Sequence, residues 1–220
     1  MYRQTSKRKE RICVECNEPF FHNSRRLCKN CRIKKIKIPR SWEDGLKVLS
    51  KAKNIRDQLA MHLQLYQGLR EGELFGGDKG TPSTLKPLTV SQIDLVNNKI
   101  IIFGKGGTVE YIFLDKEAVK LLTEYLKYKR VGKDKPLIDL TCRRYFNIVK
   151  DAVYEAGLEN PERFTTHTLR SISITHMYKK KGLIAAKNHA RHISEKTTVT
   201  YIRLTTDERR EDFNSVFEDT

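Results

Sequence analysis

The chain has 220 residues, with 43 Lys and Arg against 27 Asp and Glu and a formal net charge of +16. Its 38% hydrophobic share supplies a core and excludes a wholly disordered chain, and its length leaves room for one medium domain and a small appendage. No run of about 18 apolar residues is present to span a membrane, no apolar stretch follows the basic N-terminus as a secretory signal would, and so large a positive charge points to a polyanion, nucleic acid first.

The excess is unevenly placed. Residues 1–40 hold 13 Lys/Arg and 3 Asp/Glu, a net of +10, whereas the other 180 residues hold 30 and 24, a net of +6. The same segment carries four of the five cysteines, Cys13, Cys16, Cys28 and Cys31, as two C-x2-C pairs. Two close thiol pairs, each on a tight turn, can close a tetrahedron around a structural Zn²⁺. So short a segment buries little core, and a metal would supply its folding energy. Two disulfides are the alternative, disfavoured in a chain without a secretory signal. His22 is expected to be solvated, and Cys142 is expected to be a partly buried thiol. Around the cysteines stand Lys7, Arg8, Lys9, Arg11, Arg25, Arg26, Lys29, Arg32, Lys34, Lys35 and Lys37. Such charges on a zinc-pinned scaffold suit contact with a nucleic-acid backbone, naming no sequence. Residues 1–39 are therefore read as a basic, four-cysteine, zinc-finger-like DNA-binding module.

Pro39 closes the basic stretch. Ser41 is placed to cap a helix starting at Trp42, with Glu43 and Asp44 in its first turn. Leu59, Met61, Leu63, Leu65 and Leu69 fit a buried helix, broken by Gly68 and Gly72 near Arg70. Residues 76–87 read as a Gly/Pro/Thr-rich loop. Residues 88–95, 99–103 and 108–114 read as three short strands, with turns at Asn97-Asn98 and Gly104-Lys105-Gly106-Gly107. Helices follow from Asp115, over 141–156, from Thr166 to near Gly182, and then around 183–190 and 195–204. The tail from Asp207 is charged, with Phe213, Val216 and Phe217 at helical spacing. The fold class is mainly α with a small three-stranded antiparallel sheet, behind the small N-terminal zinc module.

Four segments stand out together. They are Gly68-Leu69-Arg70-Glu71-Gly72-Glu73-Leu74, the Gly104–Gly107 turn with Lys105, His167-Thr168-Leu169-Arg170, and His192 followed nine residues on by Tyr201. Each alone has a plain structural reading: a surface pair at i, i+3, an exposed lysine in a turn, a packing tyrosine. In order and spacing they resemble the catalytic domain of the tyrosine recombinases, the phage integrase family. There the pattern is G-L-R-x-x-E-L, G-K-G on a β-turn, H-x-L-R, then L-G-H with the tyrosine nine residues beyond. The resemblance covers roughly residues 41–205, with a catalytic domain over 40–205 and a tail helix over 206–220 that could dock on a neighbouring protomer. Two departures stand out: Ala190-Arg191-His192 replaces L-G-H, and Ser171 stands where the family often has His.

The resemblance implies a DNA-cleaving enzyme. Tyr201 would attack phosphorus and store the bond as a phosphotyrosine. Arg70 and Arg170 are permanently charged forks suited to the non-bridging oxygens. His167 and His192 can add hydrogen bonds, and one can take the tyrosine proton. Lys105 is implied as the acid that protonates the leaving 5′-hydroxyl, and Glu73 as an orienting residue. With these charges no metal is needed at the phosphate, so the zinc would be purely structural. The family implies double-stranded DNA as partner, a free monomer, a tetramer on two DNA sites, and a cytoplasmic or nucleoid-associated location. Its members usually carry a helical clamp domain of about a hundred residues before the catalytic one, for which the zinc arm would substitute here. A type IB topoisomerase or a transposase with the same chemistry, and a non-catalytic zinc-bearing DNA-binding regulator, are the competing readings.

Overall fold

The computed structural model describes residues 10–12, 19–21, 39–77, 86–103, 109–130, 132–202, 204 and 206–217. The chain divides into two compact units, Met1–Ile38 and Pro39–Thr220. In the first unit, strands β1 (Glu10–Ile12) and β2 (Pro19–Phe21) pair antiparallel, with Ile12 opposite Pro19. Arg11 lies in β1. The cysteines Cys13, Cys16, Cys28 and Cys31, His22, and the basic residues Lys7, Arg8, Lys9, Arg25, Arg26, Lys29, Arg32, Lys34, Lys35 and Lys37 lie outside the described residues.

The second unit is built around one helix. Helix α1 (Trp42–Leu49) starts on a reciprocal cap: Asp44 N donates to Ser41 Oγ at 3.1 Å and Ser41 N to the Asp44 carboxylate at 3.2 Å. Helix α2 (Ile55–Leu65) buries every residue from Leu59 to Leu65. A stretch buried on every face must be covered on every face. Four neighbours pack on it: α1, α4 (Lys116–Lys129), α5 (Cys142–Glu155) and the long α6 (Thr166–Ala190). Leu121, Leu122, Tyr145, Val149 and Leu169 complete that core. Short α3 (Glu71–Phe75) follows α2 after a turn.

The sheet is antiparallel, in the order β3 (Ile93–Asp94), β4 (Lys99–Phe103), β5 (Val109–Phe113), with Phe103 opposite Val109. Alternation sorts its faces: Ile100, Ile102 and Ile112 are buried while Phe103, Tyr111 and Phe113 are exposed. The first strand is shorter than the apolar run over 88–95 implies. Residues 90–92 form a 3₁₀ turn because the Gln92 side chain accepts from Thr89 N at 2.9 Å and donates to Ile101 O at 2.6 Å.

Three further boundaries differ from expectation. Gly72 sits inside α3, and the break belongs to Gly68, whose φ is +62°. Thr165, not Thr166, caps α6. Within α6 the non-helical Gly182, φ +80°, separates two helical stretches as the sequence implies, the second ending at Ala190. Helix α7 (Glu195–Val199) is shorter than the expected 195–204 segment, and α8 (Thr206–Phe217) closes the described chain. Cys142, half-buried, donates from Sγ to Gly76 O at 3.3 Å. No helix among the described residues is long and apolar enough to cross a membrane.

Candidate active site

Three turns converge on one buried arginine. The first is the turn over 68–73 that opens α3. Here Glu73 folds back on its own helix start: Arg70 N donates to Glu73 Oε2 at 2.7 Å and Arg70 Nη1 to Oε1 at 2.6 Å. The main-chain bond satisfies one of the orphan amides at a helix N-terminus. The positive φ of Gly68 lets the chain double back. A Cβ there would also stand 2.9 Å from His189 Nε2. The glycine thus serves both conformation and close approach.

The second is the start of α6. Arg170 is fully buried. Its guanidinium donates to Gly68 O, and to Ala190 O at 2.6 Å. One side chain therefore ties together turns 102 and 20 residues away in sequence. Thr166, in the same helical turn, donates to Glu71 Oε2 at 2.5 Å and ties the two helix starts a second time.

The third is the end of α6. Arg191 ends the helix in the left-handed region, φ +53°. That conformation normally falls to Gly and costs another residue about 1–2 kcal/mol. Its side chain is nevertheless only 5% exposed, and Nη2 donates to Glu73 Oε2 at 2.6 Å. The next residue, His192, sits 3.2 Å from Arg170 Nη2 through Nε2 and 3.0 Å from Thr198 Oγ1 through Nδ1. A guanidinium only donates. Nε2 therefore holds the lone pair, and Nδ1 donates its proton to the threonine.

Tyr201 is half-buried beside this corner. Its ring packs 5.0 Å from the His192 ring, and the Arg170 guanidinium lies 5.7 Å from its centroid. Tyr201 N donates to Thr198 O at 2.9 Å, and Thr175 Oγ1 donates to Tyr201 O at 3.3 Å.

The electrostatics follow from three guanidiniums meeting one buried carboxylate. Burial pushes the Glu73 carboxyl up, but Arg191 and Arg70 outweigh it and hold the group below its ordinary value. Burial, then Arg70 and Arg191, push Arg170 down. Burial, then Arg170, Arg70 and Arg191, lower His192 to about 4. Burial and the same two neighbours, Arg191 and Arg170, lower His189 to about 4. Its Nε2 lies 2.7 Å from Ser173 Oγ. The corner is thus positive, dry and lined with neutral histidine, an arrangement suited to a phosphate.

Of the residues singled out from sequence, the structure brings together Arg70, Glu73, Arg170, His192 and Tyr201. His167 is exposed on the first turn of α6, and among the described residues its ring makes no hydrogen bond. Lys105 lies outside the described residues. Sequence reasoning missed Arg191, Thr198, Ser173 with His189, and the Glu71–Thr166 link. Arg191 had left a signal, since it occupies a position where the resembled pattern has Gly.

A model of the phage integrase family matches residues 43–208. Tyrosine recombinase XerA of Saccharolobus solfataricus is 29% identical over 170 residues, 76% of this chain and 52% of that protein. The crystal structure of XerA recombinase aligns with a TM-score of 0.66 at 21% identity, over 82% of this chain and 65% of that one. XerH site-specific recombinase bound to difH substrate, in a pre-cleavage complex, aligns with a TM-score of 0.62 at 21% identity, over 91% and 58%. The chain thus spans about half the length of the curated XerA relative.

Proposed function

The chain belongs to the phage integrase family, and from that premise we propose that it cuts and rejoins double-stranded DNA at a specific site through a 3′-phosphotyrosine on Tyr201. The observation that carries this reading is the single buried network joining Arg70, Glu73, Arg170 and His192 beside the Tyr201 ring. It sets fixed positive charge and a neutral base beside the Tyr201 ring.

Tyr201 Oη attacks phosphorus; the Oη–P bond forms as the P–O5′ bond breaks. His192, neutral above about pH 4, accepts the tyrosine proton on Nε2 as Arg170 turns its donor to the phosphate. Arg70, its side chain one-third exposed, and Arg170 hold the non-bridging oxygens as their charge grows. Lys105 supplies the proton to the departing 5′-oxygen, and His167, on the open face of α6, adds a donor once DNA is seated. Rejoining reverses these transfers with a partner strand as nucleophile. The matched XerH structure is a DNA complex, which agrees with DNA as the partner; the active assembly is a tetramer of this chain on two sites.

The N-terminal unit serves as the clamp. Four thiols in two C-x2-C pairs are the donor set of a tetrahedral zinc site. Zinc held by these thiols would stabilise the arm, a structural role apart from the reaction. Chelation should therefore cut DNA affinity at least tenfold and flatten its salt dependence; unchanged affinity and slope after metal removal would sink the clamp.

The test of the chemistry is covalent capture. A library of nicked duplexes with a randomised central segment is incubated with the full chain, and protein–DNA adducts are isolated and sequenced. An enriched site and an adduct lost in Tyr201→Phe, at least about 1,000-fold, is the expected result. No adduct from any sequence would favour a non-catalytic DNA-binding protein; relaxation of supercoiled DNA without strand exchange would favour a topoisomerase.

A further inference from the structure

We infer that Arg191 is a positioning residue, which locks the His192 turn to the Arg70–Glu73 turn and, through Glu110, to strand β5. The inference rests on the cleavage reading above.

Arg191 combines three features that a bystander does not need. Its backbone holds a left-handed φ of +53° without being glycine. Its charge is almost wholly buried, with the side chain 5% exposed. Its Nε, though 3.5 Å from Glu110 Oε2, has no hydrogen-bond partner among the described residues. A disfavoured backbone and a buried, incompletely partnered guanidinium both cost stability. A glycine would give the same turn without either cost.

What the side chain gains is reach across three elements. Nη2 grips Glu73 Oε2, the same oxygen that accepts Arg70 N. Arg191 thereby fixes the carboxylate that orients Arg70. Its neighbours in the chain act on the other arginine: Ala190 O accepts from Arg170, and His192 faces it. Residues 190–192 therefore contact both phosphate-directed arginines, with Arg191 as the anchor. On the far side stands Glu110, in β5. A cleft of about 330 Å³ between the strand and the turn is lined by Val109, Glu110, Lys187, Arg191, His192 and Ile193. The Arg191–Glu110 pair lies on its wall and holds β5 beside the His192 turn.

The test uses the full chain and the nicked duplex selected by covalent capture. Three quantities are read: the melting temperature, the dissociation constant for DNA, and the single-turnover rate of adduct formation. Arg191→Gly, which keeps the turn, should melt within a few degrees of the parent and bind DNA within about threefold. Its adduct should form about 10- to 100-fold more slowly. Arg191→Lys, which keeps the charge and one partner, should recover at least a tenfold part of a hundredfold loss. Glu110→Gln should slow cleavage severalfold, and the double variant Arg191→Gly/Glu110→Gln should be no slower than Arg191→Gly alone. Cleavage by Arg191→Gly at the parental rate would overturn the inference. So would a rate loss matched by equal loss of DNA affinity, the failure of lysine to rescue, or full additivity with Glu110→Gln. An adduct formed by the parent chain and lost in Tyr201→Phe keeps the cleavage reading standing whichever way Arg191 falls; no adduct from the parent chain overturns the cleavage reading and this inference with it.

Discussion

The arginine corner and the tyrosine segment meet at His192 but are built by opposite means. In the corner, each charged group is fixed by partners from distant turns: Arg170 by Gly68 O and Ala190 O, and Glu73 by Arg70 and Arg191. In the segment after His192, Glu195, Lys196, Thr197, Val199 and Thr200 are exposed and Thr198 alone among these is buried. That threonine holds His192, and the Tyr201 ring leans on the histidine and on Arg170. The lesson is a division of labour. Charge must be arranged before the phosphate arrives, because reorganising buried dipoles during reaction is costly. A nucleophile needs only to be brought to a place already prepared.

The comparison breaks hardest at Arg170. Its burial and its like-charged neighbours oppose the folded protein, while its two carbonyl bonds favour it. Arg170→Met keeps most of the volume and removes the charge. Adduct formation should fall by at least about 1,000-fold, since a principal phosphate donor is gone. Stability should stay within about 1 kcal/mol of the parent, relief of repulsion and desolvation offsetting the lost bonds, as read by denaturant unfolding. Tyr201→Phe should match that loss of activity with no change in stability at all. A large destabilisation by Arg170→Met alone would mean that the corner is a structural staple first and a phosphate site second.

How far the sequence foretold each region follows from where its information lay. The helices were readable because their signals are local: Ser41, Asp115 and Thr141 each accept from their own first turns. The sheet was readable from alternation, except where the Gln92 side chain took over the backbone bonding of residues 90–92. Arg70, Glu73, Arg170, His192 and Tyr201 were legible only as a set, since no one spacing among them is distinctive. Arg191 was visible as a missing glycine rather than as an added cation. Its role depends on Glu73 and Glu110, which stand 118 and 81 positions away, and no local pattern reports that. His167 shows the converse: its i, i+3 spacing to Arg170 was plain, yet it faces out while Arg170 faces in.

A smaller effect sharpens the same contrast through pH. His189 and His192 are both held near 4 in the folded protein by burial and by the arginines beside them, against about 6.5 in an unfolded chain. Around His192 stand Arg170 from α6, Arg70 at the start of α3 and Glu73 within it, Arg191 beside it, and Tyr201 and Thr198 beyond. Between pH 6.5 and 4 the unfolded chain binds protons that these rings refuse, so unfolding becomes easier as pH falls. The upper bound is about 1.4 kcal/mol per pH unit for each ring, reduced by solvent screening where a ring meets water. Glu73 acts the same way but lower: its folded value lies below the ordinary 4.5, and its contribution is lost only as pH falls through that value. Melting temperatures should therefore decline from pH 6.5 to 5 before any carboxylate effect begins. His192→Gln should flatten that decline, because a neutral amide can still meet Thr198 and Arg170 without titrating. If the slope between pH 6.5 and 5 were unchanged in His192→Gln and in His189→Gln, the acid sensitivity would belong elsewhere in the fold. The corner's positive field would then be weaker at these rings than its three guanidiniums imply.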